Sequence, residues 1–417
     1  MKTTIAFICL MILTGLNLSC ENEDGPNPDL KPKQIEVTPE TRQLIDSDNQ
    51  FGFELMQKIA ESQDETKNTM ISPVSVSLAL AMTYNGAAGE TQKEMEETLH
   101  LNGLSPSQIN ESYKSLMESL LTVDKKVTME IANSIWYREG FDVEQDFIDV
   151  NEKYYGAEVS PLDFGKPEAV DIINDWVAEK THDKIPKIVE KIDPMDVMFL
   201  INALYFNGKW KYQFDKEKTT EEPFYLQDGS EIQTDMMVTE TDLRYHRNDL
   251  FQAVELPYGR GNYSMVCFLP TQDHQSDDVI AAMNNENWNQ WMTNLDTTGI
   301  ELHLPKFKFE YKKKLNEMLK LLGMGVAFDP TKSDFSGINP DREDLYISEV
   351  LHKTFVEVDE KGTEAAAVTS VTVSVTSVGG GGPMVLHFDR PFVFAIREVT
   401  TNTIVFMGKL MEPHKSS

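Results

Sequence analysis

The chain has 417 residues, of which 40% are hydrophobic, 9% aromatic and 25% charged, enough to bury one large core or two ordinary ones and to exclude a disordered chain. A formal net charge of −30 opposes association with nucleic acid through the bulk field, so no nucleic acid partner is expected. The three cysteines, Cys9, Cys20 and Cys267, are too few for a disulfide framework.

Lys2, the apolar stretch 5–16 and then Leu18-Ser19-Cys20 have the layout of an export signal over residues 1–19, with an apolar core too short for a typical membrane span. A small residue before a cysteine at that place resembles the lipobox of bacterial lipoproteins, whose thiol is acylated. Asn17 departs from it, where an aliphatic residue is usual. The acidic run Glu21-Asn22-Glu23-Asp24 is similar to that of some Gram-negative surface lipoproteins. The expectation is an exported outer-membrane or cell-surface lipoprotein, membrane-bound only through a lipid on Cys20. The alternative is an ordinary secreted protein in which Cys20 is incidental. Gly25, Pro26, Pro28, Pro32 and Pro39 interrupt regular structure, so residues 20–40 are expected as a tether and 41–417 as a single folded domain.

Within that domain, Phe51, Phe53, Met56 and Ile59 recur near the helical period and predict a helix over 42–63. Ser72-Pro73 opens a buried apolar helix over 74–84. Strand patterns follow at 127–137, 197–206, 251–256, 263–269, 299–309, 356–358 and 393–396, with a short helix over 312–322 ended by Gly323. No internal repeat appears. Helices first and strands later in one unit imply an α+β domain built on large, mostly antiparallel sheets.

Residues 365–386 carry no charged side chain, although Asp359-Glu360-Lys361 and Asp389-Arg390 flank them. Inside this gap Thr363, Ala365, Ala367, Thr369, Val371, Val373 and Val375 would share one face of an extended strand, small at first and then β-branched. The run lacks Pro and Gly from 363 to 378, well beyond the usual strand of about five or six residues. Four glycines, 379–382, end it. By pattern alone it could also be one long central strand.

Glu360-Lys361-Gly362-Thr363-Glu364-Ala365-Ala366-Ala367 closely resembles the proximal hinge of the reactive loop in inhibitory serpins. Ile71-Ser72-Pro73-Val74-Ser75, the block from Asn202 through Trp210, Asp389-Arg390-Pro391-Phe392 and Phe406-Met407-Gly408-Lys409 agree with that family in order. The resemblance runs from about residue 45 to the end. It implies the serpin fold: α+β, helices packed around three β-sheets, with an exposed reactive centre loop over about 360–387. It also implies a shutter formed by Ser72, Ser75, Asn202 and His352 beneath the main sheet, and Trp210 at the breach where the loop first enters.

The function implied is suicide inhibition of a serine protease: cleavage of the loop, insertion as a strand, and trapping of the acyl-enzyme. Counting sixteen residues on from Glu360 in the family register places the scissile bond between Thr376 and Ser377, with Val375 and Val378 as neighbouring candidates. Small side chains there fit the shallow apolar pockets of elastase-like enzymes, with papain-like cysteine proteases as secondary targets. A non-inhibitory serpin, acting as a carrier or binding module, is the alternative. No catalytic motif for an enzyme and no metal-ligand spacing are found, so neither catalysis, cofactor nor metal is expected, and the protein is expected to be a monomer.

Overall fold

The computed structural model describes residues 31–62, 66–363 and 383–413. The signal region, Cys20 and the loop positions Glu364, Ala365, Ala366, Ala367, Val375, Thr376, Ser377 and Val378 lie outside the described residues.

The helices are α1 (Pro39–Ser62), α2 (Pro73–Tyr84), α3 (Gly89–Thr98), α4 (Pro106–Thr122), α5 (Gln145–Tyr155), α6 (Glu168–Lys180), α7 (Ser276–Ala281), α8 (Asn285–Thr293) and α9 (Asn316–Leu321). Phe51, Phe53, Met56 and Ile59 are all buried along α1, as their period requires. The chain docks before α1 begins, because the backbone N–H groups of Lys33 and Ile35 bond to Asn262 and Thr400. Helix α2 is apolar on almost every side and lies in the core. Ser72 caps it, its hydroxyl accepting from the Ser75 N–H at 3.2 Å, and Pro73 supplies a first turn that needs no donor.

The strands are β1 (Thr69–Ile71), β2 (Val127–Arg138), β3 (Glu158–Leu162), β4 (Met198–Lys209), β5 (Thr220–Tyr225), β6 (Glu231–Arg247), β7 (Phe251–Tyr258), β8 (Tyr263–Pro270), β9 (Asp296–Pro305), β10 (Phe307–Lys314), β11 (Leu351–Asp359), β12 (Gly362–Thr363), β13 (Met384–His387), β14 (Phe392–Glu398) and β15 (Thr403–Leu410). Residues 312–314, expected as helix, belong to β10. There Phe307, Phe309 and Tyr311 are buried while Lys308, Glu310 and Lys312 face out, and this period of two outweighs local helix propensity. Residues 299–309, expected as one strand, are divided between β9 and β10 after Pro305.

One sheet runs β10-β11-β12-β4-β2-β3, and the other β1-β15-β14-β8-β7-β6-β9-β13 with β5 on β6. The three sheets implied by the resemblance are two by continuous hydrogen bonding, because β6 pairs in turn with β5, β9 and β7 and so belongs to two layers. The main core fills the space between the sheets and α1, α2 and α4. A second, smaller core lies on the far face of the six-stranded sheet, where Ile173, Trp176 and Val177 of α6 cover Trp136, Ile201 and Ala203. Strand β4 is therefore covered on both faces.

The six-stranded sheet is interrupted in its middle. Strands β4 and β11 are joined only through the two residues of β12: Gly362 and Thr363 stand opposite Lys209 and Gly208 on one side and Asp359 and Val358 on the other. Beyond Thr363, among the described residues, no ladder links β4 to β11. Both are antiparallel to β12, so they run in the same direction on either side of a slot one strand wide.

Helix α2 underlies this slot, so its start should govern the sheet. Ser72→Ala removes the cap and is expected to cost about 1 kcal/mol in denaturant unfolding, with the loss concentrated in faster hydrogen exchange of the first turn of α2.

Candidate functional site

At the top of the slot the chain leaves β11 in a tight turn. Asp359 closes it, one carboxylate oxygen accepting from the N–H groups of Lys361 at 2.8 Å and Gly362 at 3.1 Å. Gly362 then passes so close to β4 that an added Cβ would lie 2.1 Å from the Gly208 carbonyl oxygen; only glycine fits.

Thr363 follows, 4% exposed, and its hydroxyl meets the Tyr258 hydroxyl at 2.6 Å. The Tyr258 ring is buried beneath Trp210, stacked at 4.3 Å between centroids and 14° between planes. Trp210 fastens the turn itself, its indole N–H donating to the Asp359 carbonyl and its backbone N–H to that of Lys361. Glu360 is held by the Thr219 hydroxyl at 2.9 Å and by Lys306 at 3.3 Å. Burial would raise the Glu360 carboxyl, but its own backbone N–H, Thr219 and Lys306 outweigh burial and hold it below the ordinary value.

Farther along, a cavity of about 310 Å³ lies between the first residues of β4 and β11, lined by Ser75, Asn202 and His352 among others. His352 is 5% exposed, and its Nε2 accepts from the Ser72 N–H at 3.1 Å. Burial pushes its pKa down to about 4. Ser72, Ser75 and His352 thus form one connected group. Asn202 stands apart from it: its amide nitrogen donates to Asn133 at 2.8 Å, and its buried carbonyl oxygen has no partner. A narrower gap higher up is floored by Met70, Ile396 and Phe406 and roofed by Thr181 and Ile185.

The fold therefore offers a slot with backbone edges on both sides, an apolar floor, a roof, and a hinge already turned into its mouth. The family model "Serpin (serine protease inhibitor)" matches residues 46–413. The chain is a serpin. Mouse antithrombin-III is 34% identical over 381 residues, 89% of this chain and 82% of its own length. The native state of the thermophilic serpin tengpin superposes with a TM-score of 0.81 at 37% identity, covering 91% of this chain and 96% of that one. Human thyroxine-binding globulin superposes with the same TM-score at 27% identity, covering 90% and 99%. Serpins as a family are protease inhibitors and not catalysts.

Of the positions read from sequence, Glu360, Gly362, Thr363 and Trp210 meet at the mouth of the slot, and Ser72, Ser75 and His352 meet at the start of α2. Two expectations differ: Asn202 stands outside the shutter group, and the loop, expected to be exposed from its start, already has Gly362 and Thr363 as a strand inside the sheet. The close approach at Gly362 and the hydroxyl offered by Tyr258 account for the second. Tyr258, Thr219 and Lys306 were missed. Tyr258 lies two residues beyond a stretch read as strand, but which buried group its hydroxyl meets depends on the pairing of distant strands. Cys267 is a buried free thiol, and burial pushes its pKa up. The histidines, scattered in sequence, are not all scattered in the fold, since His303 and His387 come together with Glu222.

His352 gives the shutter a pH dependence. Folded, it stays neutral down to about pH 4; unfolded, it takes a proton below its ordinary value of 6.5. The stability its neutral form contributes is complete above pH 6.5 and is lost as the pH falls toward 4, on the order of 3 kcal/mol in all. Denaturant unfolding of the wild type should weaken across that window, and His352→Gln should flatten the curve there.

Proposed function

We propose that this serpin is an inhibitor, a suicide substrate of serine proteases whose loop completes the six-stranded sheet after cleavage. The observation that carries this reading is the slot between β4 and β11 with Thr363 seated at its mouth. A strand continuing from Thr363 would run antiparallel to both edges, the better-paired arrangement, whereas the two edges could pair with each other only in parallel.

The register sets the depth. Met198 lies ten residues before Gly208 on β4, so a strand continuing past Thr363 brings position 373 beside Met198. The positions that would share the inward face of Thr363 are Ala365, Ala367, Thr369, Val371 and Val373: small where insertion must start quickly, β-branched where it ends. At roughly 0.5 to 1.5 kcal/mol net per backbone bond, ten inserted residues supply on the order of 10 kcal/mol.

In the reaction, the protease serine oxygen bonds to the carbonyl carbon of Thr376 and the peptide bond to Ser377 breaks, the new amine leaving with a proton. The freed loop inserts at about 3.3 Å per residue and drags the ester-linked protease with it. Thr376 flanked by Val375 and Ser377-Val378 favours elastase-like enzymes, with papain-like cysteine proteases as secondary targets. Export with a lipid on Cys20 is part of this reading, and the mass of the mature N-terminal peptide checks it.

Two measurements test the mechanism. Thr363→Arg puts a charge where Thr363 is buried against Tyr258, and should turn inhibitor into substrate: with an elastase-like protease the SDS-stable complex disappears and cleaved serpin accumulates. Cleavage of the wild type should raise its thermal midpoint sharply, with the new termini after Thr376 by mass spectrometry. A midpoint unmoved by cleavage would favour the carrier role suggested by the likeness to thyroxine-binding globulin.

A further inference from the structure

The loop rejoins the fold at β13, four residues long and paired on one side only, in parallel with β9 at the end of the larger sheet. At the far end of this short strand His387 stands opposite His303 in register, with ring centroids 4.7 Å apart. Strand β5 reaches the same place, because the Tyr225 N–H donates to the Asp389 carbonyl at 2.7 Å, and it brings Glu222. One Glu222 oxygen lies 3.0 Å from His387 Nε2 and 3.8 Å from His303 Nδ1, and the three ligand atoms all lie within 4.8 Å of one another.

Hydrogen bonding among the three does not satisfy them. His303 Nε2 is engaged by Glu301 at 3.0 Å, so in the neutral ring that nitrogen carries the N–H and Nδ1 is a lone pair. Two acceptors, Nδ1 and the Glu222 carboxylate, then face each other. His303 Nδ1 and His387 Nε2 are both buried nitrogen atoms without a well-formed hydrogen bond; the His387 contact with Glu222 is close but poorly aligned. What is missing is a group that takes two imidazole lone pairs and a carboxylate at once.

We propose that Glu222, His303 and His387 bind a divalent transition-metal ion of the zinc class. Two imidazoles and one carboxylate are a known zinc donor set, and ligand atoms at about 2.0 to 2.1 Å from a tetrahedral zinc stand roughly 3.3 Å apart, between the two separations given above. Glu301 completes a carboxylate–histidine–metal relay, orienting His303 from behind. The ion would tie β13 to β9 and β5. If the loop inserts as proposed above, an uncut chain can feed residues into the slot from its C-terminal side only by peeling β13 away, and the ion resists that while leaving insertion after cleavage free.

The test uses the full chain stripped with a chelator and titrated with Zn²⁺ alone in a calorimeter, with no protease present, so its failure and that of the inhibitory reading are separable. One equivalent should bind. His303→Gln and His387→Gln should each weaken binding at least tenfold, and the double variant should abolish it. Glu301→Gln, which keeps all three ligands, should weaken binding about 10- to 100-fold at unchanged stoichiometry. Co²⁺ in the wild type should give the visible absorption of a tetrahedral ion with nitrogen and oxygen ligands. No binding, or a double variant that folds and binds as the wild type does, overturns the site. Hydrogen exchange at Val385, Leu386 and His387 should slow when Zn²⁺ is added, and unchanged exchange with the ion bound overturns the fastening of β13.

Discussion

The structure depends on one unmet pairing. Strands β4 and β11 present backbone edges to each other in the middle of a sheet, covered by α6 on one face and supported by α2 on the other, and are joined only at Gly362 and Thr363. Interior backbone groups need partners, and a parallel pairing of two strands fixed at their tops is a poorer solution than a third strand between them. On the inhibitory reading proposed above, the sheet holds a more stable arrangement in reserve, and the rest of the site controls when the chain reaches it.

That control is visible in where the polar anchors point. His352 binds β11 to the cap of α2, and Thr354 binds it to the Met70 carbonyl of β1. Asn202 binds β4 to Asn133 of β2. Each flank is fastened to its own neighbours and none of these bonds crosses the slot, so the slot can widen without either flank unfolding. The turn at Asp359 is the exception. Trp210 of the β4 side holds the carbonyls of Asp359 and Lys361, so the mouth of the slot has a fixed width where the loop starts to enter.

Much of this was legible in the sequence because it is local. The capped apolar helix α2, the apolar period of α1, the small-residue hinge and the charge-free run all express themselves over a few consecutive residues. The hinge and shutter positions were found through a motif, and the fold brings Ser72, Ser75 and His352 together while Asn202 stands apart. What escaped is long-range. The Tyr258 hydroxyl reaches Thr363 across 105 positions of sequence, and Lys306 reaches Glu360 from a different strand. No spacing rule connects such pairs. The donor set of Glu222, His303 and His387 escaped for the same reason: its three residues come from three strands whose neighbourhood exists only after the larger sheet has formed. The helix misplaced over 312–314 shows the converse, a local propensity overruled because β11 offered β10 a ladder.

The two ends of the loop are built on opposite principles. At the N-terminal end Gly362 and Thr363 are already strand, held by one hydroxyl pair and by the absence of a side chain, so continuing inward asks only for more of the same geometry. At the C-terminal end β13 is short, single-sided and closed by charged and imidazole groups at His387, so leaving the sheet means breaking its ladder and those contacts together. If the loop inserts as proposed, an intact chain is drawn inward at one end and restrained at the other through the segment that joins them. On that reading, a cut within the segment removes the restraint without touching either anchor.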